Sequence, residues 1–201
     1  MSNTVITISR QYGSGGRELS EILAKKLGVK LYDRQIIHMA AAMLGIGDLT
    51  DESLRELENK VLPLSSAFMP FYSFGSHAGP NVNTELFLAE SKVIHQLVND
   101  GPCVILGRCA DYILRDREDC LKVFLYADSD TKEKRIQEIY GEVGLKLKNR
   151  VKDMDIRRSL NYKYFTGQDW GKAQNYDLAL NRGSLGIEKC AQLIVDAASE
   201  E

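Results

Sequence analysis

No apolar run in this chain approaches the roughly 20 residues that a membrane-spanning helix needs. Residues 1–8 lack the charged and long apolar regions of a secretory leader. A cytoplasmic protein with no membrane partner is expected. Histidine and cysteine are scarce, at 3 and 4 residues. Cys103, Cys109, Cys120 and Cys190 show no C-x-x-C spacing and no histidines at zinc intervals, so they read as small buried hydrophobes. His38, His77 and His95 are scattered, and the sequence leaves any metal ligands unknown. Neither sign of charge dominates: 26 Lys and Arg stand against 28 Asp and Glu. Without a global basic field, nucleic acid is not an expected partner. Repeats and low-complexity tracts are also missing. A length of 201 residues suits one medium domain with inserted segments. A homo-oligomer remains open.

What is present is concentrated near the start. Val5, Ile6, Thr7 and Ile8 form a β-branched run expected to be a buried strand. Gly13, Gly15 and Gly16 follow. From Arg17 the period changes, with Leu19, Ile22, Leu23 and Leu27 on one helical face and Gly28 as the stop. Strand, glycine turn and helix form the setting in which backbone N–H groups and a helix N-terminus cradle phosphate. Glycine is needed where the chain wraps closely around an anion at positive φ. Gly13, Ser14, Gly15, Gly16 and Arg17 are therefore candidate phosphate ligands. The bland alternative is a glycine-rich turn that binds nothing.

The usual phosphate-loop pattern, G-x-x-x-x-G-K-[ST], adds a lysine for the β/γ-phosphates and a hydroxyl for magnesium. Both are missing here. In a gapless frame Arg10 takes the first glycine position, and Gly15-Gly16 covers Gly-Lys. With one residue inserted, Gly16-Arg17 covers Gly-Lys and Gln11 replaces the first glycine. Arg17 is the candidate replacement cation, as a planar fork rather than a point charge. Arg10 and Gln11 flank the loop and are further candidates for phosphate contact, although Arg10 would have to fold back.

Along the rest of the chain, residues 29–33 read as a short strand ending in Asp33, and residues 35–44 as a helix. Thr50 or Asp51 caps a further helix through residue 62, and residues 63–80 read as an irregular loop suited to a lid. Helical periodicity returns over residues 84–99, followed by a strand at 103–106 that runs into Gly107-Arg108. A short helix at 110–114, a strand at 121–126 and a charged helix at 130–140 come next. Residues 144–165 are basic and helical in pattern. A strand at 176–180 and a helix at 186–198 close the chain. Strands alternating with helices predict a parallel sheet covered on both faces.

Several blocks together resemble the cytidylate kinase-like family: residues 8–18, Tyr32-Asp33, Leu106-Gly107-Arg108, then Arg158, Tyr162, residues 166–171 and residues 176–181. The resemblance spans nearly the whole chain. It implies a three-layer α/β/α phosphate-loop fold of the nucleoside monophosphate kinase type, using ATP or another nucleoside triphosphate with Mg2+. It implies a core of residues 1–33, 101–140 and 169–201, a helical acceptor-binding insert at 34–100 and a lid at 141–168. Gly107-Arg108 resembles the Gly-Arg that binds the acceptor phosphate, and Arg157-Arg158 resembles the lid arginines. Authentic cytidylate kinases carry Asp-Ser-Gly after the second strand and an arginine further on. Here Asp33 matches, but Arg34-Gln35 replaces Ser-Gly and Met39 stands at the arginine position. Cytosine specificity does not carry over.

Phosphoryl transfer needs in-line positioning and positive charge around the transferred group. Arg17, Arg157 and Arg158 are the candidate catalytic cations, and Asp33 and Arg108 the candidate acceptor-side residues. Asp33 reads equally well as a helix N-cap, and the two lid arginines as a solvated face. Arg135 reads as a base-stacking group or as an exposed charge. Trp170 and Tyr162 read as flanking a base or as packing residues. The expected activity is phosphotransfer to a nucleoside monophosphate or another small acceptor. Its rival is a nucleotide sensor that keeps the pocket without transfer.

Overall fold

A computed structural model of the protein describes residues 5–46, 82–141 and 144–199. The expected helix through residue 62 and the lid loop at 63–80 lie outside the described residues. Among the described residues, five strands form one parallel sheet: β1 (Val5–Arg10), β2 (Lys30–Tyr32), β3 (Cys103–Leu106), β4 (Cys120–Tyr126) and β5 (Leu178–Asn181). Their order is β2-β3-β1-β4-β5. Around the sheet run α1 (Gly16–Leu27), α4 (Ala110–Ile113), α5 (Ser129–Tyr140), α6 (Leu145–Thr166), α7 (Arg182–Leu185) and α8 (Ile187–Ser199). A 3-10 turn at Ala173–Asn175 and the short α7 are elements that the sequence pattern does not announce.

β1 sits at the centre because Val5, Ile6, Thr7 and Ile8 can be buried on both faces, as a parallel sheet requires. Val5 pairs with Cys103 on one side and with Cys120 on the other. Leu19 and Leu23 of α1 join Ile194, Cys190 and Ala191 of α8 against Ile8, Leu106 and Val123 in the main core. All four cysteines are buried there or nearby. Burial pushes the thiol of Cys103 up to about 11 and that of Cys120 up to about 12.

The chain divides into two compact units, residues Met1–Asp33 with Leu97–Glu201 and residues Arg34–Gln96. The second contains α2 (Gln35–Met43) and most of α3 (Val82–Asn99). In it, Ile36, Ile37 and Ala40 of α2 and Leu86, Val93 and Ile94 of α3 are buried.

Strand order locates the functional end of the larger unit. From β1 the chain passes through α1 to β2, toward one edge of the sheet. From β3 it passes through α4 to β4, toward the other. β1 and β3 are neighbours whose connections leave in opposite directions, so a crevice opens beyond their carboxyl ends. The turn after β1 carries the glycine loop. The turn after β3 carries Gly107-Arg108.

Candidate functional site: a phosphate loop ringed by arginine

The loop between β1 and α1 is tight. Ser14 donates its backbone N–H to the Gln11 carbonyl at 3.3 Å, and its Oγ donates to the same oxygen at 2.8 Å. Gly13 and Gly15 have φ of 81° and 86°, a region costly for residues with a Cβ. Gly15 is the N-cap of α1 and no side chain caps that helix start. The first-turn N–H groups of α1 thus face the crevice without a side-chain acceptor at the cap.

Cations converge on this loop from three distant elements. A Cβ built on Gly15 would lie 3.0 Å from Arg182 Nη1 and 3.1 Å from Arg135 Nε. Both guanidinium groups are also held by one carboxylate: Arg135 Nη2 lies 3.1 Å and Arg182 Nη2 3.3 Å from Glu18 Oε2, in the first turn of α1. Arg135 is therefore not the exposed charge that one reading of its helix suggests; its side chain is only 20% exposed. A Cβ on Gly13 would collide with Ile136 Cδ1 at 2.8 Å and crowd Lys132 Cβ at 3.2 Å.

The underside of the loop is tied to α5 and α6. Tyr12 donates its backbone N–H to Asp155 Oδ1 at 2.6 Å. Lys132, buried on α5, places Nζ 3.3 Å from Asp155 Oδ2 and 3.3 Å from Gln11 Oε1. Arg158 donates from Nη1 to the Arg10 carbonyl at 2.9 Å and lies over the Tyr12 ring at 5.6 Å. Ile136, Leu147 and Val151 pack with Tyr12 beneath them. The basic segment is a single helix that directs a few apolar residues, Asp155 and Arg158 at the loop and leaves its lysines exposed.

The turn after β3 holds three successive residues at positive φ: Gly107 at 78°, Arg108 at 59° and Cys109 at 51°. The two non-glycine residues carry a strain that the surrounding packing must offset. Gly107 donates its N–H to the Ile8 carbonyl at 2.9 Å, which ties this turn to β1. Just beyond it lies a buried polar chain. Tyr162 donates its hydroxyl to Asp111 Oδ2 at 2.6 Å, and Trp170 donates Nε1 to Ser9 Oγ at 2.9 Å. Trp170 also packs edge-on against Phe124, with centroids 5.4 Å apart. Tyr162 is buried and Trp170 half-buried. Burial raises the Asp111 carboxyl to about 6, against the partly offsetting Tyr162 hydrogen bond.

The sequence-derived candidates are thus distributed unevenly. Gly13, Ser14, Gly15 and Gly16 form the loop, Arg158 reaches its base, and Arg108 stands on the neighbouring strand's turn. Arg17 points along the solvent side of α1, with Nε 3.0 Å from Glu21 Oε1 and a side chain 66% exposed. Arg157 is exposed on α6. Asp33 follows β2, and the N-cap of α2 falls on Arg34, which makes no side-chain cap. Arg182, Lys132, Asp155 and Glu18 were not singled out from sequence. Their charges fit any solvated helix face, and only the fold turns them toward the loop.

A central parallel sheet with a glycine loop at β1 and cations at the strand ends defines a protein of the three-layer α/β/α nucleotide kinase type. The sequence profile of the Cytidylate kinase-like family matches residues 5–184, and the chain belongs to that family. It is 24% identical over 192 residues to a cytidylate kinase of Archaeoglobus fulgidus, covering 96% of this chain and 93% of that one. Among solved structures, an uncharacterized protein from Eubacterium ventriosum has a TM-score of 0.70 at 23% identity, covering 96% of this chain and 97% of that one. A shikimate kinase from Bacteroides thetaiotaomicron has a TM-score of 0.56 at 14% identity, covering 96% and 97%. At these identities the structural likeness concerns the fold.

Proposed function

We propose that this protein is a phosphotransferase that moves the γ-phosphoryl group of a nucleoside triphosphate such as ATP, bound with magnesium, to a nucleoside monophosphate or another small acceptor. One observation carries the reading: the uncapped, left-handed Gly15 at the start of α1, with the guanidinium groups of Arg135 and Arg182 against it. A helix start without a side-chain cap and two fixed cations make a site for a polyanion, and they would hold donor phosphates without reorganising. Residues 13–17 would bind the donor. Asp33 and Arg108, at the carboxyl ends of β2 and β3, would meet the acceptor. Arg17, Arg157 and Arg158 would add charge as the site closes. In the same reading residues 34–100 are the acceptor-binding insert and residues 141–168 a lid. The location would be cytoplasmic, with small molecules rather than nucleic acid as partners.

Among the described residues no group of three or more His, Cys, Asp or Glu side chains is placed to hold a metal ion. That suits magnesium carried in by the nucleotide, because this ion keeps several waters and binds mainly through phosphate oxygens. Its contribution would be to neutralise the phosphate charge.

A second reading rests on Gly16, which in the gapless frame puts no side chain where the usual pattern has lysine: a sensor could bind the triphosphate without transferring it. The experiment is a phosphotransfer assay with ATP and GTP over nucleoside monophosphates and small phosphorylated or hydroxylated acceptors, beside calorimetric binding. Turnover with at least one acceptor supports the kinase. Triphosphate binding with no transfer to any acceptor makes the protein a sensor. No nucleotide binding at all overturns both.

A further inference from the structure

The cation missing from the loop motif has a counterpart on the strand side of the loop. A Cβ built on Gly16 would lie 2.5 Å from Arg10 Cγ, 2.8 Å from Arg10 Cβ and 3.4 Å from Arg10 Cδ. The stem of Arg10 therefore fills the space in which a residue-16 side chain would begin. In the gapless frame residue 16 is the lysine position of the usual pattern and residue 10 its first glycine. This chain has the reverse arrangement: a long cationic side chain at the strand end and none at the helix start.

The glycine at 16 is informative because its backbone does not require one. Gly16 is helical, without the positive φ of Gly13 and Gly15. Glycine in a helix is disfavoured relative to alanine. The Arg10 stem accounts for its presence, since any Cβ would displace that stem.

The head of Arg10 is directed at the acceptor side. A Cβ on Gly107 would collide with Arg10 Nη1 and lie 3.1 Å from its Cζ. The side chain thus runs from the end of β1, past the first residue of α1, to the turn that bears Arg108. This is the crevice between two strands whose connections diverge. The backbone beneath is fixed, with the Arg10 carbonyl accepting from Arg158 and the Gln11 N–H donating to the Leu125 carbonyl at 3.0 Å.

We propose that Arg10 performs the task of the absent loop lysine, its guanidinium bridging the β- and γ-phosphates of the donor and the acceptor oxygen. The proposal rests on the phosphotransferase reading and deepens it. In the step concerned, an oxygen of a dianionic phosphate acceptor forms a bond to the γ-phosphorus. The bond from that phosphorus to the β–γ bridging oxygen breaks, and its electron pair stays on the β-phosphate of the leaving diphosphate. A dianionic phosphate acceptor has no proton to surrender. A planar fork with several donors spans two of these oxygens at once in a fixed geometry, where a lysine ammonium acts as a point charge.

Four proteins test this: wild type, Arg10→Ala, Gly16→Ala and the exchange Arg10→Gly with Gly16→Lys. Each is checked for folding by circular dichroism, then measured for turnover and for binding of ATP and ADP with magnesium. Arg10→Ala should lower kcat roughly a hundredfold or more and abolish the preference for triphosphate over diphosphate, while ADP binds within a few-fold of wild type. Gly16→Ala should reproduce much of that loss with Arg10 still present, because its Cβ displaces the stem. The exchange should recover most of the activity. If wild type transfers to nothing but Arg10→Ala loses the triphosphate preference, the kinase reading fails and the role of Arg10 as the γ-phosphate cation stands. If Arg10→Ala and Gly16→Ala leave both turnover and preference within a few-fold of wild type, the Arg10 proposal is wrong. It is equally wrong if wild type binds neither nucleotide.

Discussion

Asp155 on α6 accepts the backbone N–H of Tyr12 at 2.6 Å, across 143 residues of sequence. Its other oxygen faces the buried ammonium of Lys132. One carboxylate thus joins the phosphate loop to both helices that flank it. Removing it leaves a half-buried N–H and a buried cation without this partner. Asp155→Ala should lose about 1.5–3 kcal/mol, the usual range for a hydrogen bond to a charged group. Urea unfolding of this variant, of Lys132→Met and of the pair measures the coupling. The double variant should lose less than the sum of the singles. Strict additivity would mean that the two side chains act independently.

Asp111 gives the fold a dependence on pH. Its carboxyl is buried and raised from an ordinary 3.8 to about 6. Between these values the folded protein holds a proton that the unfolded chain has released. Stability from this group is therefore complete below about pH 4 and is lost as pH rises through about 6. The loss should reach about 2–3 kcal/mol, at 1.36 kcal/mol per unit. Asp111→Asn removes the titration and keeps an acceptor for the Tyr162 hydroxyl. Subtracting its unfolding free energy from that of wild type, from pH 4 to 7.5, should give a curve falling toward neutrality. A flat difference would show that the carboxylate is better solvated than its burial implies.

Arg135 and Arg182 share Glu18 and stand beside Gly15. Each should contribute to triphosphate binding through charge at close range, so each alanine variant should weaken binding about tenfold. The dependence on salt should become shallower, since fewer cations meet the ligand. Calorimetry at two ionic strengths checks this. Glu18→Gln should strengthen triphosphate binding by freeing both guanidinium groups from a competing anion. If it weakens binding, the main service of Glu18 is to hold them in place.

Arg17 and Arg10 compete for one role. Arg17 is paired with Glu21 on an exposed face, and an exposed pair four residues apart on a helix contributes only about 0.3–0.5 kcal/mol. It can reach the loop only by leaving that partner. In the phosphotransfer assay Arg17→Ala should reduce kcat less than Arg10→Ala. A loss from Arg17→Ala that matches or exceeds the other would return the lysine role to Arg17.

The elements of this fold were legible because each rests on short-range chemistry. β-branched runs gave β1 and β3, spaced leucines gave α1, and Asp128 caps α5 by accepting the Thr131 N–H at 2.8 Å. The glycine loop was legible for the same reason, since positive φ is a local demand. The sequence alone therefore determined that a strand, a tight glycine turn and a helix stand in series, with a parallel sheet around them. It did not determine which cations face the loop. Glu18 and Arg182 are 164 residues apart, and nothing local distinguishes them from solvated charges. Arg10 shows the limit most clearly. Its neighbours in sequence suggest a side chain leaving the loop behind, whereas the strand end turns it back over Gly16 toward Gly107. The direction of a side chain follows from its element's orientation and from the space its neighbours leave, and both are set only when β1, β3 and α1 come together.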